Sequence, residues 1–226
     1  MEMNGFQILN RTRRVDSQIV ESFRELPVAN VSDCMWRMTA GGSNLRPYHA
    51  KGVLAGPALT VKTRPGDNLM IHKALHIAKP GDVIVVDAGG DVTNALIGEL
   101  MVATAIRNGI AGFVMNGAIR DVDAIGAGTF PVYAAGVTHR GPYKDGPGEI
   151  NVPISLNGMV VEPGDLILGD ADGLLCVPFG DVHTILEAAR RKQEAESVTI
   201  REIENGTLDI KWIDATLARL GVKVPA

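Results

Sequence analysis

The apolar positions of this chain change period along its length. Over residues 15–26, VDSQIVESFREL, Val15, Ile19, Val20, Phe23 and Leu26 fall at helical spacing, and Pro27 ends the run. VANVSDCMWRM predicts a second short helix, with Asn30 or Ser32 available as its cap. Residues 52–62, GVLAGPALTVK, read as a strand interrupted at Gly56-Pro57. NLMIHKALHIA, 68–78, returns to helical spacing with a stripe at Leu69, His72, Leu75 and His76. DVIVVDAG, 82–89, is a nearly continuous apolar run between turn signals, which predicts a strand buried on both faces. A helix over 98–108 stops at Asn108-Gly109. IAGFVM (110–115) and FPVYAAGV (130–137) are further buried strands, and Asn116-Gly117 marks a tight turn after the first. This strand, helix, strand, strand order predicts an α/β layer with a partly parallel sheet.

From residue 150 the pattern turns antiparallel. Asn157-Gly158 and Asp172-Gly173 each separate two short apolar runs, which is a hairpin signal. A long helix over roughly 180–204 ends at Asn205-Gly206, and an amphipathic helix over 207–220 follows. PGDVIVVDAGGD (80–91) and PGDLILGDADGL (163–174) resemble each other, and the favoured reading of Pro-Gly-Asp is a turn placed before a strand. The chain reads as one domain over 1–226, with N-terminal helices at 15–40, an α/β core at 50–180 and C-terminal helices at 181–220.

Composition narrows the function classes. A chain of 226 residues is long enough for a sizeable core. Net charge is −4 and aromatic content is 4%, which gives neither the basic footprint nor the stacking platforms of a nucleic-acid binder. No apolar run reaches membrane-spanning length, and the first residues lack the pattern of a signal peptide. Cys34 and Cys176 show no metal-binding or redox spacing and read as reduced, buried thiols of a cytoplasmic protein.

Candidate chemistry concentrates at the two ends of one segment, GELMVATAIRNGIAGFVMNGAIRD, Gly98 to Asp121. Glu99 stands at a helix start, where unpaired amides and the helix dipole favour an anion; it is either a first-turn acid or a neighbour to a substrate carboxylate held on the amides of Gly98, Glu99, Leu100 and Met101. Arg120 and Asp121 close the following strand, either as a surface ion pair or as a carbonyl-binding fork beside a cation ligand. A short helix-strand crossover brings both ends toward the same sheet end, where ligands of open α/β sheets sit. So few oxygen donors, without a zinc signature, suit Mg²⁺ or Mn²⁺ that keeps most of its water. The loops THRGPYKDGPGE (138–149, with Lys144) and RPGDN (64–68, with Asn68) are secondary candidates; the first is either solvated or a lid, and Asn68 touches a ligand or caps the next helix. His72 and His76, at i,i+4 with no third ligand nearby in sequence, read as core histidines.

Glu99, twenty intervening residues and then Arg120-Asp121 resemble the signature of the RraA-like family, whose enzymes are class II pyruvate aldolases acting on 4-hydroxy-4-methyl-2-oxoglutarate and 4-carboxy-4-hydroxy-2-oxoadipate. VANVSD, GPALTV, RGPYKDGPGEINVPI and PGDLILGDADGLLCVP extend the resemblance over roughly residues 25–195. It implies a swivelling β/β/α, phosphohistidine-domain-like α-β-β-α sandwich with mixed sheets and C-terminal helices. It implies homotrimers or hexamers with sites between subunits; composition, not the resemblance, points to no nucleic-acid and no membrane partner. By position, Asp121 is implied as the direct ligand of Mg²⁺ or Mn²⁺, and Glu99 as a ligand through water. Arg120 is implied on the keto oxygen, and the amides of Gly98 to Met101 on the substrate carboxylate. Lys144 and Asn68 match polar pocket positions, and Glu196, or nearby Glu194, matches an acid supplied by a neighbouring subunit. The implied reaction is cleavage of a 4-hydroxy-2-oxo acid to pyruvate through an enolate, with oxaloacetate decarboxylation at the same site. A water or hydroxide is the expected base for the hydroxyl proton. The other implied class is a non-catalytic regulator of ribonuclease E.

Overall fold

The computed structural model describes residues 5–222. Strand β1 (Phe6–Ile8) precedes helices α1 (Ser17–Arg24) and α2 (Val28–Cys34). Asp16 caps α1 by accepting the Gln18 N–H at 2.8 Å. Neither Asn30 nor Ser32 caps α2, as the sequence pattern suggested. Pro27 occupies that position, its fixed φ already suited to helix entry, and the Val28 N–H goes to Asp170 Oδ2 at 3.0 Å. Next come β2 (Arg46–Pro47), β3 (Leu54–Thr63), α3 (Leu69–Ile77), β4 (Val83–Asp87), β5 (Ala95–Ile97), α4 (Glu99–Arg107), β6 (Gly112–Ile119), α5 (Val122–Gly126) and β7 (Val132–Val137). The antiparallel half comprises β8 (Gly148–Ile150), β9 (Ile154–Leu156), β10 (Met159–Val161), β11 (Leu166–Asp170) and β12 (Gly173–Val177), ahead of α6 (Val182–Glu204) and α7 (Lys211–Arg219). Two compact units divide the chain, one through Ala189 and the other from Arg190.

The first unit is a mixed α/β sandwich. Its main sheet runs β1-β8-β3-β4-β6-β7-β2, with β3, β4, β6 and β7 parallel and β5 added beside β6. Side chains alternate across the central strands as the two-residue period requires. Ile84, Val86, Phe113 and Met115 face α3 and α4, whereas Val83, Val85 and Val114 face the β9–β10 hairpin and β12. A third cluster packs α1, α2 and the start of α6 against β11 and β12.

Four local expectations are corrected. Gly56-Pro57 does not interrupt β3. The strand continues and changes partners there, Leu54–Pro57 pairing with β11 and Ala58–Lys62 with β4. Glycine is required at the crossover because a Cβ on Gly56 would lie 2.4 Å from Gly81 O. Asn116-Gly117 is not a turn. Both residues lie inside β6 at a register shift between Met115 and Ala118, and a Cβ on Gly117 would come within 2.7 Å of Leu96 Cδ1. Glycine here lets β5 lie against β6. The buried stripe of α3 is Met70, Ile71, Ala74 and Leu75, not the one containing the histidines. His72 is half-buried and His76 exposed, because the face bearing Asn68 and His72 turns to a cavity rather than to the sheet. Of the two free thiols, Cys176 is buried and Cys34 only half-buried.

The repeated Pro-Gly-Asp is a turn before a strand at both places. Asp82 accepts the Lys79 N–H at 2.8 Å, and Asp165 accepts the Glu162 N–H at 2.9 Å. Arginines of one N-terminal segment reach both acids: Arg11 and Arg14 pair with the fully buried Asp82, and Arg13 pairs with Asp165. Such pairs fix position more than they add stability, but losing one partner strands a buried charge.

Candidate functional site

Strand β5, helix α4 and strand β6 form one short crossover. β5 pairs in parallel with the end of β6, and the Arg120 N–H donates to Ile97 O at 3.0 Å. Gly98, extended at φ −148°, opens α4. Asp121 follows β6 in the left-handed region at φ 58°, a conformation that Asp tolerates better than most residues. That backbone turn swings the carboxylate back to the helix start. Asp121 Oδ2 accepts the Glu99 N–H at 3.1 Å and lies 3.6 Å from Arg120 Nε. Gly98 makes the approach possible, since a Cβ there would stand 2.2 Å from Asp121 Oδ2 and 3.2 Å from Arg120 Nε.

The pair borders a cavity of about 310 Å³, a volume suited to a small metabolite. Every site residue proposed from the sequence in the first unit lines it: Asn68, Gly98, Glu99, Leu100, Met101, Arg120, Asp121 and Lys144. Arg120 and Asp121 keep 43% and 37% of their side-chain surface exposed, so both remain open to a ligand. The four amides expected to hold a carboxylate are not equivalent. The Glu99 N–H is taken by Asp121, and the Met101 N–H donates to Gly98 O at 3.1 Å. Those of Gly98 and Leu100 have no partner among the described hydrogen bonds. Glu196 belongs to the second unit, where it pairs with Lys192 at 3.1 Å.

The loops at 64–68 and 138–149 hold each other in place. Asp67 is fully buried and accepts the N–H groups of Leu69, Asp145 and Gly146 at 2.8–2.9 Å. Burial pushes its pKa upward, but these bonds outweigh burial and hold the carboxyl below its ordinary value. The Asn68 N–H donates to Tyr143 O, and the Tyr143 N–H to Gly66 O. Lys144 therefore sits on a clamped loop rather than on a solvated one. A Cβ added at Gly141 would lie 3.5 Å from Arg120 Nη1, so this loop also reaches the arginine.

Asn68 does not cap α3; Asp67 does so through the Leu69 N–H at 2.9 Å. Asn68 is 2% exposed, and its amide N–H donates to Leu96 O at 2.8 Å, leaving Oδ1 with no partner. His72 lines the same cavity and was not foreseen as a site residue. The available signal was its place one helical turn beyond Asn68. Burial first, then the charges of Lys144 and His76, lower its pKa from 6.5 and keep the imidazole neutral near pH 7. A larger cleft, of about 520 Å³, opens near Ile19, Phe179 and Val182, but its acid, Asp16, is spent capping α1.

The donors present fit a hard cation that retains water. Among the described residues no group of three or more His, Cys, Asp or Glu side chains is arranged to hold a metal, so an all-protein cage is absent. One open carboxylate, Asp121, with Glu99 beside it is the sparse oxygen set that Mg²⁺ or Mn²⁺ accepts.

Fold and cavity together define a mixed α/β sandwich with a small acidic-and-basic pocket at a strand end. The chain belongs to the RraA-like family, described as Aldolase/RraA, whose model matches residues 28–176. A protein of Halalkalibacterium halodurans, provisionally named as a 4-hydroxy-4-methyl-2-oxoglutarate aldolase, is 40% identical over 88% of this chain and 94% of its own. The solved RNA-processing inhibitor RraA from Thermus thermophilis is 31% identical, with a TM-score of 0.62 over 67% of this chain and 92% of its own. RraAS2 of Streptomyces coelicolor, described as an unusual member of the RNase ES inhibitor RraA family, is 27% identical, with a TM-score of 0.74 over 82% and 97%. No helix among the described residues is long and apolar enough to cross a membrane.

Proposed function

We propose that the protein is a divalent-metal-dependent lyase that cleaves a 4-hydroxy-2-oxo acid, of the 4-hydroxy-4-methyl-2-oxoglutarate or 4-carboxy-4-hydroxy-2-oxoadipate type, and releases pyruvate. The observation that carries this reading is the convergence of Arg120, Asp121 and the α4 start on one cavity, joined by the Asp121–Glu99 bond of 3.1 Å. The name of the Halalkalibacterium relative supports it. Asp121 would hold Mg²⁺ or Mn²⁺ directly and Glu99 would hold it through water. When bound, the cation supplies Lewis acidity at the 2-oxo acid end of the substrate.

The chain's own groups do the rest. The open N–H groups of Gly98 and Leu100, at a helix N-terminus, receive the substrate carboxylate. Arg120 donates to the keto oxygen, where negative charge develops as the C–C bond breaks; a donor aimed at that atom favours the transition state over the ground state. Lys144, held by the Asp67 clamp, attracts the distal carboxylate. Oxaloacetate decarboxylation forms the same enolate, so the same site performs it. Glu196, or Glu194, would complete the pocket from a neighbouring subunit of a trimer or hexamer.

The second reading, a ribonuclease-binding regulator, is favoured by the descriptions of the Thermus and Streptomyces structures. Parallel assays of oxaloacetate loss, with Mg²⁺ and with EDTA, and of ribonuclease E inhibition separate the two. The lyase reading expects metal-dependent loss of oxaloacetate; ribonuclease inhibition without it favours the regulator.

A further inference from the structure

The corner of the cavity facing α3 carries a set of groups that binding a 2-oxo acid does not use. Asn68 donates to Leu96 O at 2.8 Å, and because a carbonyl only accepts, this bond fixes which way the amide points. Its buried Oδ1 is then an acceptor without a donor, on a residue that lines the cavity. One turn along, His72 presents its ring to the same cavity, and among the described hydrogen bonds the ring makes none. Lys144 approaches from the clamped loop and His76 stands one turn further on α3; Glu99, Arg120 and Asp121 line the rest of the cavity. A buried acceptor, an unengaged imidazole and a nearby ammonium suit a hydroxyl that must lose its proton beside a carboxylate. Oxaloacetate has no such hydroxyl, whereas a 4-hydroxy-2-oxo acid does.

The geometry points to His72 as the general base of carbon–carbon cleavage, with Asn68 Oδ1 receiving the substrate's C4 hydroxyl; this rests on the lyase reading above. The imidazole lone pair takes the hydroxyl proton, and the O–H electron pair becomes the second C–O bond of the departing carbonyl product. The C3–C4 bond breaks, and its electrons form the C2–C3 double bond of the pyruvate enolate as the keto pair moves onto the oxygen facing Arg120. The imidazolium proton then passes to solvent and C3 takes its proton from solvent, which yields pyruvate and restores neutral His72; the enolate left by decarboxylation is protonated in the same way and does not need His72. A side-chain base replaces the water or hydroxide expected from the sequence. The neutral state this role needs is the one that burial and Lys144 favour.

The test compares two reactions of the full chain with Mg²⁺: pyruvate release from 4-hydroxy-4-methyl-2-oxoglutarate and decarboxylation of oxaloacetate. His72→Asn is expected to lower kcat for cleavage by about 10²–10⁴-fold, the usual contribution of a positioned base, with KM and decarboxylation nearly unchanged. The wild-type cleavage rate is expected to fall with acidification through a midpoint below 6.5, and this limb is lost in the variant. An equal fall in both reactions, with an unchanged melting curve, assigns His72 a structural role and overturns the inference alone. Cleavage unaffected in His72→Asn overturns it as well. Wild-type protein inactive in both reactions overturns the lyase reading and this inference together.

Discussion

Asp121 Oδ2 accepts the backbone N–H of Glu99 at 3.1 Å, across 22 positions of sequence. The bond joins the end of one strand to the start of the helix before it, and it holds the Asp121 carboxylate against the backbone of Glu99 at the cavity edge that Arg120 also lines. It depends on two unusual backbone features, a left-handed Asp121 and a residue without a side chain at Gly98.

Gly98→Ala places a methyl 2.2 Å from Asp121 Oδ2, which must then move. Displacing a reacting group by about 1 Å costs on the order of 10²-fold in rate. The expected outcome is a loss of that size in pyruvate release, with a circular dichroism spectrum like that of the wild type.

Arg120→Ala removes the donor aimed at the developing oxyanion. A loss of about 10²–10³-fold is expected in the exchange of pyruvate methyl protons with solvent, followed by NMR. Arg120→Lys should recover little, because a point ammonium does not reproduce the planar fork. Exchange at the wild-type rate in Arg120→Ala would exclude the proposed role.

The Asp67 clamp predicts a pH dependence. Its folded-state pKa lies below the ordinary 3.8, so its stabilisation is fully present above that value and is lost as pH falls through the folded value. Asp67→Asn is expected to lower the melting temperature at neutral pH and to flatten its fall on acidification below about pH 4. KM should rise in the same variant, since Lys144 loses its anchor. Parallel melting curves for the two proteins across that pH range would contradict the clamp.

Asp82→Ala leaves Arg11, 9% exposed in its side chain, without its carboxylate, with only the Ala58 carbonyl still accepting from it. Breaking a buried pair in this way costs about 3–5 kcal/mol. Urea titration is expected to show that loss, while the protein that remains folded keeps its activity, because Asp82 precedes β4 and does not line the cavity.

Much of the scaffold was legible in sequence because the strands buried on both faces announce themselves as apolar runs, β4 and β6 above all. The convergence of Gly98, Glu99, Arg120 and Asp121 on one cavity was legible for a related reason: charged residues closing an apolar run have to face a sheet end. What local pattern could not give was context. Asn116-Gly117 has turn chemistry, yet the approach of Leu96 absorbs it into a bulged strand. His72 has the spacing of a core face, yet α3 turns that face to the cavity, and only the packing of Ile71 and Leu75 on the sheet decides the rotation. Likewise, no spacing shows that Asp67 would clamp a loop 78 positions away.

The central claim is that Asp121 holds the cation on which lyase chemistry depends. It is tested most directly by pyruvate release from 4-hydroxy-4-methyl-2-oxoglutarate, measured for wild type and Asp121→Ala with Mg²⁺, after EDTA, and after Mg²⁺ is restored. The account predicts release by the wild type that EDTA abolishes and Mg²⁺ restores, and none from the variant under any condition. Equal release by the two proteins, or wild-type release indifferent to EDTA, would contradict it.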